Sequence, residues 1–326
     1  MSVRSLILGL LLAWACAGAA PALTLPEPAW QPRFTGVETA RIELEEPRKL
    51  VLHVARVDLR ERGLRWFATP PALPGTAPLA PPGRHTGETL GQFTSSFLRE
   101  HGLQLAINAA PFGPVVDEEG MLLDVAGLQM SLGRPVSGQT KDYPALLLMA
   151  DGRARLARPP FDLTGVVNAV GGFDIVLERS VALFRPPAEG ARQPALHPRT
   201  AVGLAEDGWL AWLVVVDGRQ AGYSLGVALH ELAVLLRALG ATEGINLDGG
   251  GTSAIVVQGP DTQPLVLNRP IHRGEPGRER VSASHLGLWA LPLPRGPAAP
   301  AAAAAPGRPS PANAVPPAAS GAPRRQ

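Results

Sequence analysis

The chain has 326 residues, and its 30 lysines and arginines against 28 aspartates and glutamates leave a formal net charge of only +2. This near balance, together with sparse aromatic residues and no basic run, argues against nucleic-acid binding despite a sequence pI of about 9.1. A hydrophobic content of 45% is ordinary for a globular protein long enough for one large domain or two small ones.

The N-terminal segment has the features of a secretory signal peptide. A short basic start precedes an apolar run over residues 6–14, which is too short to span a bilayer, and small residues follow. The pattern predicts a signal peptide over residues 1–22, cut near Ala20 or Ala22. The single cysteine, Cys16, lies inside it, so the mature chain needs no disulfide. We expect a periplasmic or secreted protein rather than a lipid-anchored one, with no transmembrane span after the signal peptide.

The folded part of the chain is predicted over residues 33–293. Alternating apolar residues in RKLVLHVARVDL, beginning at Arg48, predict a half-buried strand, and GLRWFATPP predicts a second that ends at prolines. A loop rich in proline and glycine follows over residues 70–87. Asp151-Gly152 and Asp207-Gly208 predict the tips of two hairpins. Residues 294–326 are rich in proline and alanine, which predicts a disordered tail.

Two segments have the apolar spacing of a helix. The first contains Leu90, Phe93, Phe97 and Leu98 and ends at Gly102. The second contains Leu225, Leu229, Leu232, Leu236 and Leu239 and ends at Gly240. Together with the strands, these segments predict an α+β fold, a single domain of mainly antiparallel strands with a few packed helices.

The sequence GINLDGGGTSAIVV, beginning at Gly244, places an acid and three glycines between two apolar runs. It lacks the lysine of a phosphate-binding P-loop, the helix of a dinucleotide site and the second glycine of a nucleophile elbow. His230-Glu231 also fails as a zinc-protease motif, because Val234 stands where the second histidine belongs. His230 itself is expected to be a packed helix residue.

A glycine-rich bend after a buried strand lets the backbone approach a ligand closely and presents several N–H groups to an anion. At such a bend Asp248 could act as an acid or base, or bind a metal or a sugar hydroxyl. The alternative is a tight hairpin bend in which Asp248 caps its own turn.

The glycine motif and several other segments, in this order, resemble the phosphodiester glycosidase family. The matching segments are AINAAPF (106–112), HPRTAVG (197–203), VVVDGRQ (214–220), NLDGGGTS (246–253), NRP (268–270) and GRERVSASHLG (277–287). Two positions depart from the family pattern: alanines and a proline follow Asn108 in place of glycines and an aromatic residue, and Thr252 replaces a serine. The first change is expected to reshape the sugar pocket, whereas the second keeps the hydroxyl.

The resemblance implies hydrolysis of the bond between the anomeric carbon of a sugar and a phosphodiester, as in N-acetylglucosamine-1-phosphodiesters. Phosphate is a good leaving group, so the main tasks would be holding it and stabilising an oxocarbenium-like sugar. For the phosphate we expect the side chains of Arg199 and Arg280, whose planar guanidinium groups suit two oxygens at once. The other phosphate contacts are expected from the N–H groups of Gly249, Gly250 and Gly251 and the hydroxyls of Thr252 and Ser253, and Thr200 is a further expected substrate-binding residue.

Three carboxylates are the catalytic candidates that the resemblance implies. Asp248 is first, Glu231 on the second predicted helix is next, and Asp217 at the end of a strand is third. Asn108 and Asn246 are expected to bind sugar hydroxyls or to orient Asp248, whereas Asn268 has no clear role. Each of these residues could instead be structural, as an ion-pair partner, a turn residue or a backbone cap.

The sequence requires no cofactor, although aspartate and asparagine oxygens could bind a divalent cation. The partner implied by the resemblance is a carbohydrate phosphodiester on an envelope or extracellular glycan. Two alternatives stay open: a non-catalytic module that binds sugar-phosphate polymers for exopolysaccharide export or attachment, and a structural envelope protein anchored by its tail.

Overall fold

The computed structural model of the chain describes residues 23–72, 87–138, 143–188 and 190–294. The predicted signal peptide, residues 295–326 of the predicted tail and most of the loop predicted over 70–87 lie outside the described residues. Within the described ranges, no helix is long and apolar enough to cross a membrane.

The described residues form 23 strands and two short helices. The first half contains β1 (Gln31–Phe34), β2 (Val37–Leu44), β3 (Leu50–Asp58), β4 (Arg65–Ala68), β5 (Thr89–Leu90), α1 (Thr94–Glu100), β6 (Leu105–Asn108), β7 (Phe112–Gly113), β8 (Leu122–Val125), β9 (Gln129–Ser131), β10 (Arg134–Ser137), β11 (Ala145–Met149) and β12 (Ala154–Ala157). The second half contains β13 (Val166–Gly171), β14 (Asp174–Glu178), β15 (Val181–Ala182), β16 (Arg199–Leu204), β17 (Leu210–Val216), α2 (Leu229–Ala238), β18 (Glu243–Asn246), β19 (Ile255–Gln258), β20 (Pro264–Val266), β21 (Ile271–His272), β22 (Glu275–Pro276) and β23 (His285–Trp289).

The strands form three larger sheets and two small ones, and every pairing between named strands is antiparallel. The largest sheet has the order β1-β2-β3-β17-β16-β18-β14-β15. Two five-stranded sheets have the orders β10-β9-β13-β11-β12 and β20-β19-β6-β23-β4. The small sheets are β5-β8-β7 and β21-β22.

The main hydrophobic core lies where these three larger sheets pack together. The eight-stranded sheet contributes residues such as Leu213 and Ile245, and β6 and β23 contribute Ile107 and Leu286. The remaining sheet contributes Leu146 among others, and all of these side chains are fully buried. Each fully buried aliphatic side chain stabilises the fold by roughly 1.5–3 kcal/mol. Their alternation with residues on the opposite faces explains why the strands could be recognised from sequence.

The predicted α+β class is wrong, because the described chain is nearly all β with two helices of 7 and 10 residues. Both helices are shorter than their apolar spacing predicts. Residues 89–90 pair as strand β5, so α1 begins only at Thr94. Ser224 and Val227 form isolated β-bridges, so α2 begins at Leu229.

The local turn predictions are confirmed. β11 and β12 form a hairpin through Gly152, and β16 and β17 form another through Gly208. Both glycines have positive φ angles, +96° and +72°, which glycine adopts without steric cost. Gly102 and Gly240 follow the ends of α1 and α2 with φ angles of +59° and +105°, as C-terminal helix stops require.

Candidate active site around the glycine-rich loop

Residues 248–254, here called the glycine loop, connect β18 of the eight-stranded sheet to β19 of a five-stranded sheet. The loop therefore passes from one packed sheet to another. Within it, Gly250–Thr252 form one turn of 3₁₀-helix. Most of the loop is buried, which requires its backbone polar groups to find partners inside the protein.

The glycines are required by close approach and by backbone conformation. Gly250 has a φ angle of +69°. A side chain at Gly249 would place its Cβ 2.8 Å from the Pro198 carbonyl oxygen, and one at Gly251 would place it 3.1 Å from His272 Nδ1. The Gly250 N–H donates to that same Pro198 oxygen at 2.9 Å. This amide is therefore bound to the protein, so the predicted row of phosphate-binding N–H groups is interrupted at its centre.

Asp248 is the only acidic residue of the glycine loop, and it is 9% exposed. Its Oδ2 lies 2.7 Å from the Thr252 hydroxyl and 3.1 Å from Arg280 Nη2. Burial raises the pKa of the Asp248 carboxyl, although the charge of Arg280 and hydrogen bonds from Thr252 and Gly249 act in the opposite direction. The carboxylate is thus held in place, and its negative charge is incompletely compensated.

Asn108 fixes the glycine loop to the end of β6. Its Nδ2 donates to the Asp248 carbonyl at 2.7 Å and lies 3.2 Å from Thr252 Oγ1. Its Oδ1 accepts from Thr200 Oγ1 at 2.7 Å and from the Ala254 N–H at 3.2 Å. An amide side chain has two donor hydrogens and two acceptor positions, so all four are used inside the protein. The contacts of Asn108 and Thr200 are those of residues that position the loop.

Arg219 and Arg280 place their side chains against the glycine loop, and Arg199, whose backbone lies beside Gly249, donates from its Nε to the Val227 carbonyl at 3.2 Å. A Cβ at Gly250 would lie 3.1 Å from Arg219 Nη1, and one at Gly251 would lie 3.2 Å from Arg280 Cδ. Burial lowers the pKa of Arg219, and the charge of Arg280 lowers it further. Burial likewise lowers the pKa of Arg199; Arg219 adds to this effect, and the carboxylate of Asp174 opposes it. Arg219 therefore lies close enough to interact with both Arg199 and Arg280.

The sequence did not single out Arg219, Asp174 or His272 as site residues. Arg219 follows a strand within a matching family segment and has a left-handed φ angle of +58°, a signal visible only in the structure. Asp174 is half-buried, and burial raises the pKa of its carboxyl, which Arg199 opposes. His272 Nε2 lies 2.8 Å from Asp117 Oδ1, while its Nδ1 side faces Gly251. None of these contacts could be inferred without the packing of the sheets.

Two predicted catalytic carboxylates have other partners. Glu231 Oε2 accepts from the Ala228 N–H at 2.9 Å and from Arg48 Nη2 at 2.6 Å, so it caps the first turn of α2. Among the described contacts, none joins Glu231 to the glycine loop. Asp217 Oδ1 accepts from Asn268 Nδ2 at 2.9 Å, and Asn268 also donates to the Ser253 carbonyl. Among the described hydrogen bonds, Asp217 therefore reaches the loop through Asn268.

Three buried polar atoms near the loop have no hydrogen-bond partner among the described residues: Asn246 Oδ1, Ser253 Oγ and Arg280 Nε. Buried polar atoms are normally paired, so each unpaired atom requires an explanation. In addition, the Phe112 ring lies 5.7 Å from Arg280 Cζ and covers one side of this guanidinium. No group of three or more histidine, cysteine, aspartate or glutamate side chains in the described ranges is placed to hold a metal ion.

The sequence model of the phosphodiester glycosidase family matches residues 101–289, more than half of the chain. The chain belongs to the phosphodiester glycosidase family. The matched region contains the glycine loop, the three arginines Arg199, Arg219 and Arg280, and the buried residues Asn108 and Asp217. The resemblance predicted from the sequence motifs is thereby confirmed. No curated protein matches the chain significantly.

Solved structures of other proteins share the fold of this chain. The catalytic domain of zebrafish N-acetylglucosamine-1-phosphodiester α-N-acetylglucosaminidase, solved auto-inhibited by its pro-peptide, superposes with a TM-score of 0.55 at 18% identity, covering 82% of this chain and 88% of that one. A protein from Burkholderia pseudomallei, described as exported, gives 0.53 at 17% identity over 74% of each chain. A hypothetical protein from Synechocystis gives 0.54 at 13% identity, covering 78% of this chain and 62% of its own.

Proposed function

We propose that this family member is an exported hydrolase that cleaves the glycosidic bond of a sugar-1-phosphodiester. The observation that carries the proposal is one buried carboxylate, Asp248, beside a cluster of three arginines at a loop of tightly packed glycines. Family membership and the fold shared with the zebrafish enzyme support the same reaction class. The N-terminal apolar segment, and the exported neighbour from Burkholderia, support export. Mass determination of the mature N-terminus from a secreting host tests that part, and an uncleaved chain would contradict it.

The arginine cluster suits the phosphodiester. Arg199, Arg219 and Arg280 together bring three positive charges to one place, and Asp248 and Asp174 offset only part of this charge. A guanidinium donates parallel hydrogen bonds to two phosphate oxygens. The unpaired Nε of Arg280 is a buried donor with capacity for such a contact. Holding both oxygens also stabilises the negative charge that the departing phosphate gains.

Asp248 suits the sugar side of the same bond. Hydrolysis breaks the bond between the anomeric carbon and the phosphodiester oxygen, adds water at that carbon and releases a phosphomonoester and the free sugar. The anomeric carbon becomes positively charged in the transition state. A fixed carboxylate whose own charge is poorly compensated stabilises such a cation more than it stabilises the neutral ground state.

The test is release of N-acetylglucosamine from GlcNAc-1-phospho-methylmannoside by the purified chain. We expect Asp248→Asn to lower kcat by about 10²–10⁴-fold, the range seen when a positioned charged or proton-transferring group is lost. Asp261→Asn is the matched control, because Asp261 is exposed and accepts only a local turn hydrogen bond. Turnover that survives in Asp248→Asn would contradict the assigned role. No turnover across several sugar-1-phosphodiesters, with binding intact, would favour a non-catalytic binding module.

A further inference from the structure

A surface cleft of about 350 Å³ lies next to the arginine cluster. It is formed between the segment that follows β15 and the first turn of α2. We call it the basic cleft, after the charged residues of its lining: Arg185, Arg192, His197, Arg199 and His230. Arg199 belongs both to the basic cleft and to the cluster around the glycine loop. His197 Nδ1 lies 3.0 Å from Arg219 Nη2, so the cleft borders the candidate active site.

The charged residues in the described lining of the basic cleft are all basic. No acidic side chain lines it among the described residues. Arg185 and Arg192 are exposed, and the described part of the chain contains no ion-pair partner for either of them. Two exposed arginines at the mouth of a cleft raise the local concentration of anionic ligands.

The remaining lining identifies the kind of anion. Phe184, Pro187 and Pro194 give the basic cleft apolar surfaces between its charges. Sugar rings present apolar C–H faces that pack on aromatic and proline rings, whereas their charged substituents need guanidinium partners. The cleft also shares Arg199, one of the residues assigned to the cleaved phosphate, with the candidate active site. A ligand that fills both places must therefore carry further anionic groups beyond the bond that is cleaved.

We propose that the basic cleft binds the continuation of an anionic glycan whose terminal sugar-1-phosphodiester enters the site at the glycine loop. This inference rests on the proposed function and names its substrate class. The shared chemistry is a saccharide chain with repeated negative charges, supplied either by phosphodiesters or by carboxylates. The preferred substrate is thus an acidic polymer rather than a small neutral glycoside phosphate.

Turnover of a long and a short substrate tests the proposal. The long one is a tetramer of N-acetylglucosamine-1-phosphate units joined by phosphodiesters, and the short one is GlcNAc-1-phospho-methylmannoside. We expect the double variant Arg185→Ala/Arg192→Ala to raise KM for the tetramer about fivefold to tenfold, since each exposed charge contact is worth up to a few-fold. For the short substrate, kcat/KM should stay within about twofold. The matched control, Arg62→Ala/Arg134→Ala, removes two exposed arginines outside the cleft and should change neither value.

Binding measured without turnover separates this inference from the proposed function. Calorimetry of the tetramer with Asp248→Asn should show weaker binding when the two cleft substitutions are added. If the cleft substitutions weaken binding of the tetramer but the unmodified chain hydrolyses neither substrate, the proposed reaction is wrong and the assignment of the cleft stands. Hydrolysis of the short substrate together with cleft-independent binding of the tetramer would overturn the cleft assignment alone. Tetragalacturonate provides the carboxylate arm; cleft-dependent binding of this oligomer but not of the phosphate tetramer would assign the charges to uronic acids.

Discussion

Asp248 shows how a charge can be fixed in place and remain incompletely compensated. The direction of its pKa shift means that the cost of burial exceeds the attraction of Arg280 and the hydrogen bonds of Thr252 and Gly249. A carboxylate in this state gains from any positive charge that develops nearby. The transition state of glycoside hydrolysis supplies such a charge, so the same burial that disfavours ionisation in the free protein contributes to catalysis.

Gly250 gives the sharpest test of the glycine loop, because it combines a left-handed φ angle with a close contact. In Gly250→Ala the new Cβ would lie 3.1–3.2 Å from the Arg219 guanidinium, so Arg219 must move. We expect a loss of roughly 1–2 kcal/mol in unfolding free energy from the positive φ, together with a fall of at least about tenfold in kcat/KM.

Gly133→Ala is the matched control for that substitution. Its φ angle is +79°, but a Cβ there would meet nothing within 4 Å. Urea unfolding should therefore show a similar loss of stability for both variants, while only Gly250→Ala should lose activity. Equal activity of the two variants would show that Arg219 has no part in the reaction.

Among the secondary-structure elements, α2 carries Glu231, which the sequence analysis named as a catalytic candidate. Glu231 binds the N–H group of Ala228 and the guanidinium of Arg48, and the Glu231 and Arg48 side chains are only 14% and 18% exposed. Glu231→Gln keeps the shape but removes the charge from this cap. We expect a loss of about 1 kcal/mol in unfolding free energy, measured by urea denaturation, since a helix cap and a partly buried ion pair are weakened.

The same variant distinguishes a structural from a catalytic glutamate. If Glu231 only caps α2, kcat/KM of Glu231→Gln for the short substrate should stay within about twofold of the unmodified chain. A second variant, Arg48→Met, should lose similar stability and also keep its activity, because it breaks the same ion pair. A loss of about 10²-fold or more in Glu231→Gln alone would instead assign the carboxylate to the reaction.

Local patterns were sufficient to predict much of the fold. The two hairpins through Gly152 and Gly208, and both helix ends, follow from turn chemistry that acts over a few residues. The helix starts were missed because partners distant in sequence hold residues 89–90 and Val227 in extended pairs, and a local bridge to Gln220 holds Ser224. Tertiary pairing overrides apolar periodicity in such cases, and the α+β prediction failed for this reason.

The candidate site was predictable in part for a related reason. Asp248 and Arg280 are each visible as polar residues in matching segments, and the structure brings them within 3.1 Å. Whether an asparagine faces a substrate or the protein depends on neighbours from other strands, and Asn108 is bound on all sides by such neighbours. The Asp117–His272 pair joins residues 155 positions apart, which single-sequence patterns do not report.

For the whole molecule, the candidate site draws on residues from several strand ends that meet at one edge of the packed sheets. Arg199 begins β16, Asp174 begins β14, and Asp248 follows β18, and these three antiparallel strands lie side by side. Asn108 adds the end of β6 from a different sheet. The site geometry therefore depends on how these sheets pack together, so global stability and activity are expected to fall together when this packing is lost.

Acid stability of the whole fold should depend strongly on His285, which is fully buried against the Phe97 ring at 4.7 Å between centroids. Burial lowers the pKa of His285 to about 3 from its usual 6.5. The folded chain thus keeps His285 neutral at pH values where the unfolded chain protonates it. The contribution of neutral His285 to the unfolding free energy is fully present above pH 6.5. It is lost as the pH falls towards 3, at about 1.4 kcal/mol per pH unit.

Urea unfolding between pH 7 and pH 4 measures this slope. Asp248 and Glu279 act in the opposite direction, because burial raises their pKa values and acid then favours the folded state. The slope of unfolding free energy against pH should therefore be compared between the unmodified chain and His285→Gln. Because the variant retains these carboxylates, the difference between the two slopes reports on His285. We expect the variant to be less stable at pH 7 but to lose stability less steeply on acidification. Parallel profiles of unfolding free energy against pH for the unmodified chain and His285→Gln would show that His285 is not the acid-sensitive group.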